Sequence, residues 1–370
     1  MPDESHPPQL KDWFDEARYH AIARELAQIA PKFDAKTFLK LVLDGLADRT
    51  LMQRVHQCAV AVAAALPGTY QQKVRLLQKL APKIGHEFVT IFLGDFVATF
   101  GGEDFDFSLE ALRFFTVFGS SEFAVRPFIV ADQARALKTL EQWTNDPDEK
   151  VRRLASEGSR PRLPWGMRLT ALVRDPAPTA AILEALKDDE SLSVRRSVAN
   201  HLNDITKDHP DFVLQRLEAW DLERAHLRWI ARQACRTLIK RGHPRALKLF
   251  GFGKKAEVVA TLNASPPRLA LGERLTLAAA ITSTSSHAQR LAIDYVIHYV
   301  KASGASAEKV FKWTELDLPA RASLELVKTQ VVRDFTTRKH YPGEHRVDLQ
   351  INGQRMAAAV FVLKQAPAQR

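Results

Sequence analysis

The apolar pattern of this chain changes period once, near Phe250, and that change constrains the fold more than any other feature. From Trp13 to about Lys248, apolar residues recur at helical spacing, as in FLKLVLDGLADRTLMQRV and VRLLQKLAPKI. Breaks fall at Pro67, Gly101, Pro147, Pro161, Pro164 and Pro210, so the helices are short and joined by short turns. After Phe250, segments such as EVVATL, RLTLAAAI, RLAIDYVIHYV and HRVDLQIN alternate apolar with polar residues. SPP, STSS, SGAS and YPGE turns separate them. The expected fold is mainly α, with helices over residues 1–250 and an all-β module of about seven strands over residues 257–370.

Three helical segments look alike: VRRLASEG (151–158), VRRSVANHLND (194–204) and LRWIARQACRTL (227–238). The first two align 43 residues apart and the last two 33 apart, near the period of HEAT-type repeats. The first two follow acidic turns, DPDEK and DDESLS, which suit a helix N-terminus. The helical part therefore reads as a HEAT-like solenoid, and the β part as a sandwich resembling immunoglobulin-like domains. GFGKKA (251–256) fits a G-x-G-x-x-A pattern but precedes strands instead of joining a strand to a helix, so it reads as a linker.

Charge is unevenly placed along these parts. Residues 1–150 carry 17 Lys and Arg against 21 Asp and Glu, residues 151–250 carry 19 against 12, and residues 251–370 carry 17 against 10. The excess of cations in the middle and C-terminal parts points to a polyanion as partner, with the acidic N-terminal part remote from it. No apolar run reaches the roughly 20 residues that span a bilayer, and MPDESHPPQLKDWF lacks a signal-peptide core, so a cytoplasmic location and no membrane partner are expected. Cys58 and Cys235 lie in apolar helical stretches without C-x-x-C spacing and read as buried thiols. Neither a metal nor a cofactor is expected.

Helical geometry places Arg196, Asn200 and Asp204 at i, i+4 and i+8 on one face, away from the stripe of Val194, Val198, Leu202 and Ile205. Arg153 and Glu157 hold the equivalent positions one repeat earlier. Stacked repeats would align these five along one open side, with Arg152, Arg160, Arg162 and Arg195 nearby. Ordinary solvated i,i+4 pairs would give the same spacing. Against that simpler account, Glu157 and Asp204 both fall near helix C-termini, where the macrodipole disfavours carboxylates by roughly 0.3–1 kcal/mol. In SEGSRPRLPWG (156–166), Pro161 and Pro164 forbid a regular helix, leaving an Arg-rich turn that presents Trp165 either to the core or to a base or cation. FGSSEFAVRPF (118–128) puts Glu122 in the first turn of a helix capped by Ser120 or Ser121, where a carboxylate also serves capping.

EKVRRLASEGSRPRLPWG followed by VRRSVANHLND resembles the AlkC-type DNA alkylation repair glycosylases, relatives of AlkD within the HEAT-like glycosylases. The resemblance extends over essentially the whole chain, including RKHYPGEHRVDLQINGQ (338–354). It implies hydrolysis of the N-glycosidic bond of alkylated bases, including 3-methyladenine and also 3-methylcytosine or 1-methyladenine. By motif it implies Glu122, Glu157, Trp165 and Asp204 as site residues. The expected partner is double-stranded alkylated DNA bound by a monomer. Arg152, Arg153, Arg160, Arg162, Arg195, Arg196 and Asn200 would make its DNA contacts. The β module either closes over the DNA through Arg338, Lys339 and His340 or merely caps the solenoid. A non-catalytic DNA-structure binder and a protein scaffold remain as alternatives, because helical solenoids serve all three roles.

Overall fold

A computed structural model describes residues 9–253, 255–335 and 339–364. Among them sixteen α-helices precede eight strands. The first helices are α1 (Glu16–Ile29), α2 (Ala35–Leu43), α3 (Leu51–Ala65), α4 (Tyr70–Leu80), α5 (Ile91–Phe100) and α6 (Phe105–Thr116). Next come α7 (Arg126–Ala131), α8 (Gln133–Trp143), α9 (Glu149–Gly158), α10 (Thr170–Arg174) and α11 (Ala180–Leu186). The series ends with α12 (Leu192–Ile205), α13 (Pro210–Ala219), α14 (Ala225–Ala234), α15 (Arg236–Lys240) and α16 (Pro244–Leu249).

Short polar side chains set the starts of many of these helices by satisfying backbone N–H groups that have no partner in the first turn. Asp15, Asp34, Asp132, Asp148 and Ser191 each accept from a backbone N–H two or three residues on. Thr69 and Gln72 add a reciprocal capping box on α4. The acidic turns before VRRLASEG and VRRSVANHLND thus do open α9 and α12. On α9, Val151, Leu154 and Ala155 are buried, and on α12 the expected stripe of Val194, Val198, Leu202 and Ile205 is buried. These two helices pack against each other.

The chain divides into two compact units, residues 1–209 with 221–231 and residues 210–220 with 232–370. The division does not fall at the change of period, because α13, α15 and α16 belong with the strands. The strands are β1 (Val258–Ser265), β2 (Arg268–Leu269), β3 (Arg274–Ser283), β4 (Gln289–Val300), β5 (Ser306–Leu318), β6 (Ser323–Val331), β7 (Gly343–Ile351) and β8 (Gln354–Leu363). Eight strands rather than about seven are present because two-residue β2 pairs parallel with β8; the other pairings are antiparallel. They form a three-stranded sheet, β1-β3-β6, and a five-stranded sheet, β2-β8-β7-β4-β5.

Leu275, Leu277 and Ile281 of β3 and Ile293, Tyr295 and Ile297 of β4 contribute to the sandwich core. β4 is also buried on its other face, at Ala292, Asp294 and Val296. That second burial accounts for the nearly unbroken apolar run of RLAIDYVIHYV. At the β7–β8 turn, Gln350 Nε2 donates to the Lys240 carbonyl at 2.9 Å. Beside it, Gly353 meets Gly242 backbone to backbone.

A Cβ on Gly353 would lie 2.1 Å from Gly242 Cα, whereas a Cβ on Gly304, at the same φ of 79°, would meet nothing within 4 Å. Gly353→Ala should therefore lose more stability than Gly304→Ala by at least about 1–3 kcal/mol, since the close approach adds overpacking to the shared backbone strain. Urea unfolding of the two variants checks this; equal midpoints would show that the contact costs nothing.

Candidate active site

Glu157 is the penultimate residue of α9 and Asp204 the penultimate residue of α12, so the packing of the two repeat helices carries both carboxylates to one end of the pair. They are not on an open side, as the repeat spacing implies. Glu157 is 6% and Asp204 4% exposed. Between them lies Arg160, also buried, from the turn that follows α9. Its Nη1 donates to Glu157 Oε1 at 2.6 Å, and its Nε donates to Asp204 Oδ2 at 2.9 Å. Lys207, one turn beyond Asp204, donates to Oδ1 at 2.9 Å.

Glu122 joins the cluster through Arg153. Arg153 Nη2 lies 2.8 Å from Glu122 Oε2 and 3.9 Å from Glu157 Oε1. Glu122 stands in a turn ahead of α7 rather than in the helix itself, because Ser120 folds the chain locally. Ser120 Oγ accepts from the Glu122 N–H and donates to Glu122 Oε2 at 2.8 Å. A hollow of about 330 Å³ beside Arg153 is lined by Phe88, Ile91, Ser120, Lys150 and Ser193.

Beneath the carboxylates lies Arg126, fully buried. It donates from Nη1 to the Gly158 carbonyl at 2.8 Å and from Nε to the Met167 carbonyl at 2.6 Å. It thereby ties the end of α9 to the far side of the turn carrying Trp165. Burial lowers its pKa to about 10; Arg160 adds to the lowering, while Asp204, Glu122 and Glu157 oppose it. Gly158 permits the packing, since a Cβ there would come 2.5 Å from Val125 Cγ1.

The turn from Arg160 to Gly166 closes through Gly166 N–H to Leu163 O and Leu169 N–H to Pro161 O. Trp165 at its tip has φ of 63° and is 70% exposed. A bulky side chain held left-handed and in solvent costs about 1–3 kcal/mol without contributing to the core. Of the two roles open to it in the sequence, capping the core is therefore excluded.

The family-model comparison matches residues 111–238 to the DNA alkylation repair enzyme family and residues 258–365 to the C-terminal Ig-like domain of the uncharacterised protein YhaZ. YhaZ of Bacillus subtilis (strain 168) is 38% identical over 347 residues, 93% of this chain and 96% of its own length. A solved structure of the Pseudomonas fluorescens alkylpurine DNA glycosylase AlkC, bound to DNA containing an abasic site analogue, superposes with a TM-score of 0.94 at 48% identity. The match covers 97% of this chain and all of that one. The chain belongs to the AlkC family.

In this AlkC-family chain the other arginines expected at DNA have different settings. Arg152 is held by both Asp189 oxygens, at 2.7 and 3.1 Å, and by the Asp146 and Pro147 carbonyls. Arg195 donates to the Asp189 and Glu190 carbonyls. These two brace the acidic turns and are half-buried. Arg162 makes a bidentate pair with Asp208, Arg196 is exposed, and Asn200 is half-buried. In the β module Lys339 is exposed, and His340 packs edge-on against Tyr299 with its N–H bound to Asp334. Arg338 lies outside the described residues.

Sequence reasoning missed Arg126, Lys207 and His201. A lone arginine in the apolar run FAVRPFIV is a signal for the first, and i,i+3 spacing from Asp204 for the second. His201 lies on α12, fully buried, with Nδ1–H donating to the Ser156 carbonyl at 3.0 Å. Burial, reinforced by Arg160, pushes its pKa down to about 3, so it stays neutral.

Because the unfolded chain protonates His201 near 6.5 and the folded chain only near 3, this group's contribution is fully present above 6.5 and is lost as pH falls through that window. The stability gap between wild type and His201→Gln should shrink by roughly 2 kcal/mol from pH 7 to pH 5. Urea melts of both proteins at the two pH values test it; a constant gap would refute it.

Proposed function

We propose that this chain is a DNA glycosylase that hydrolyses the N-glycosidic bond of N-alkylated bases in double-stranded DNA and acts as a monomer. The observation that carries the reading is the gathering of Glu122, Glu157 and Asp204 around Arg153 and Arg160, beside an exposed, strained tryptophan. The likeness to AlkC over nearly the whole chain supports it.

An N-alkylated base is already cationic and leaves without protonation. Catalysis then requires a counter-charge for the oxocarbenium-like sugar and a placed water. A carboxylate about 4 Å from that cation contributes roughly 4 kcal/mol at an effective dielectric near 20, approaching a thousandfold in rate. Among the described residues the partners of Glu157 all fall on Oε1, while both oxygens of Asp204 are held, by Arg160 and Lys207. Glu157 Oε2 is thus the oxygen that faces the sugar or water, and Asp204 supplies fixed negative charge. Lys207 Nζ is engaged with Asp204 Oδ1 rather than standing free as a Schiff-base nucleophile, in keeping with hydrolysis by water. Trp165 covers the charged lesion or its deoxyribose, and Arg196 with Arg162 meets phosphates. The substrates are 3-methyladenine and, by the same charge logic, 3-methylcytosine and 1-methyladenine. A DNA-structure binder or scaffold would release no base.

Glu157→Gln should cut single-turnover release of 3-methyladenine by about a hundredfold or more while duplex affinity is kept or tightened, since a negative charge facing a polyanion is removed. Arg196→Ala should instead weaken damaged and undamaged duplex alike and lower the salt slope by about one unit. Release by mass spectrometry beside filter binding separates the two. Unchanged release by folded Glu157→Gln would defeat the assignment.

Trp165→Gly relieves the left-handed backbone, so its melting temperature should equal or exceed that of wild type while release of methylated bases falls at least tenfold. A lower melting temperature with normal release would make Trp165 structural.

A further inference from the structure

The third repeat segment, residues 227–238, takes no part in the carboxylate site, yet its cations are regularly spaced. Arg232, Arg236 and Lys240 recur every fourth residue through α14 and α15. Together with Lys312 of β5 they line a pocket of about 170 Å³, whose other walls include Asp294 of β4 and Thr314 and Glu315 of β5. That volume holds several waters at roughly 30 Å³ each, or one oxyanion in their place.

Arg232 is fixed in this wall. Its guanidinium lies 5.1 and 5.2 Å from the ring centres of Phe250 and Phe252, and it pairs with Glu315 through Nη2. Its other terminal nitrogen, Nη1, is buried with no hydrogen-bond partner among the described residues. An arginine donor withheld from water without an acceptor costs about 1–3 kcal/mol or more. Glu315 Oε1 is shared between Arg232 Nη2 and Lys312 Nζ, the latter at 2.5 Å, and does not reach Nη1. Asp294 accepts from Gln350 instead, at 3.4 Å.

Charge balance points the same way. Arg290, across the Phe252 ring, makes a fifth cation against the two carboxylates. Burial first, then the neighbouring cations, lower the pKa values of Lys312 and Arg232, while burial raises Asp294 to about 6. The wall therefore has positive charge in excess, and its buried donor Arg232 Nη1 is left without an acceptor. A cation would worsen both imbalances, and an oxyanion corrects both.

We propose that this pocket binds a phosphate oxyanion, with Arg232 Nη1, Arg236 and Lys240 as donors. A DNA phosphodiester and free inorganic phosphate share that chemistry; the diester as source rests on the glycosylase reading. The experiment uses the full chain and Lys240→Glu, with Lys312→Met as the second variant should the first melt below wild type in chloride. Inorganic phosphate replaces chloride at matched ionic strength and the melting temperature is read; the salt slope on undamaged duplex is measured beside it. Phosphate should raise the melting temperature of wild type but not of the variant, and the duplex slope should fall by about one unit. Loss of the phosphate effect with an unchanged duplex slope assigns the site to free phosphate. Loss of slope without a phosphate effect assigns it to the diester. No difference between wild type and variant in either arm overturns the proposal. Failure of wild type to release methylated bases would sink the glycosylase reading and leave this result standing.

Discussion

One guanidinium holds the two repeat helices in working relation. Arg160 is buried between Glu157 at the end of α9 and Asp204 at the end of α12, and each carboxylate reaches it within hydrogen-bond distance. Without it two buried carboxylates would face each other across a helix interface, each already disfavoured by its helix terminus. Breaking a buried pair of this kind costs about 3–5 kcal/mol, a large part of the stability of an ordinary domain. The position of Arg160 is fixed in turn by the end of α9, where Ser159 Oγ donates to the Ala155 carbonyl, and by Pro161, which forbids the helix from continuing. Arg126 then fastens the same turn from below.

On the proposed reading, the opposed signs at this site answer two demands that conflict. A surface that receives DNA needs cations, whereas cleavage of a cationic nucleotide needs anions at the sugar. Placing Arg153 and Arg160 between the carboxylates holds the acidic groups near each other with counter-charge between them. The same arginines reduce the repulsion that bare carboxylates would exert on a phosphate backbone. The exposed Arg196 and the half-exposed Arg162 remain on the outside, and the acidic turns of the scaffold are neutralised internally by Arg152 and Arg195.

Much of the architecture was legible because it rests on local pattern. The change from helical to alternating spacing marked the two kinds of structure, and the repeat of VRRLASEG by VRRSVANHLND marked the pair of helices that does pack. Helix-end reasoning singled out Glu157 and Asp204 correctly as residues placed against their macrodipoles. Their burial was not legible, because helical spacing assigns a residue to a face and cannot say what arrives from a later turn to cover it. Arg160 was for that reason grouped with surface arginines. The settings of Arg152 and Arg195 were not legible for a related cause: their partners are backbone carbonyls and Asp189, which no side-chain periodicity reveals. The second covering of β4 was likewise invisible, since a strand buried on both faces and a strand with one irregular face read alike.

The protonation chemistry of the cluster fits the demand of the proposed reaction for a steady field. His201, buried beside it on α12, is held neutral with its pKa near 3 and gives up Nδ1–H to a backbone carbonyl, so it serves packing and not proton transfer. Arg126 remains cationic even with its pKa lowered to about 10, and Arg160 is held charged by Glu157 and Asp204 despite its burial. A leaving group that departs as a neutral base from a cationic nucleotide needs no general acid. What it needs is charge that is already in place when the sugar becomes cationic, with no cost of reorganisation at that moment. On the proposed reading, two carboxylates locked on one arginine beside a turn stapled at both ends would meet that requirement by being rigid, with the exposed and strained Trp165 on the side open to a lesion.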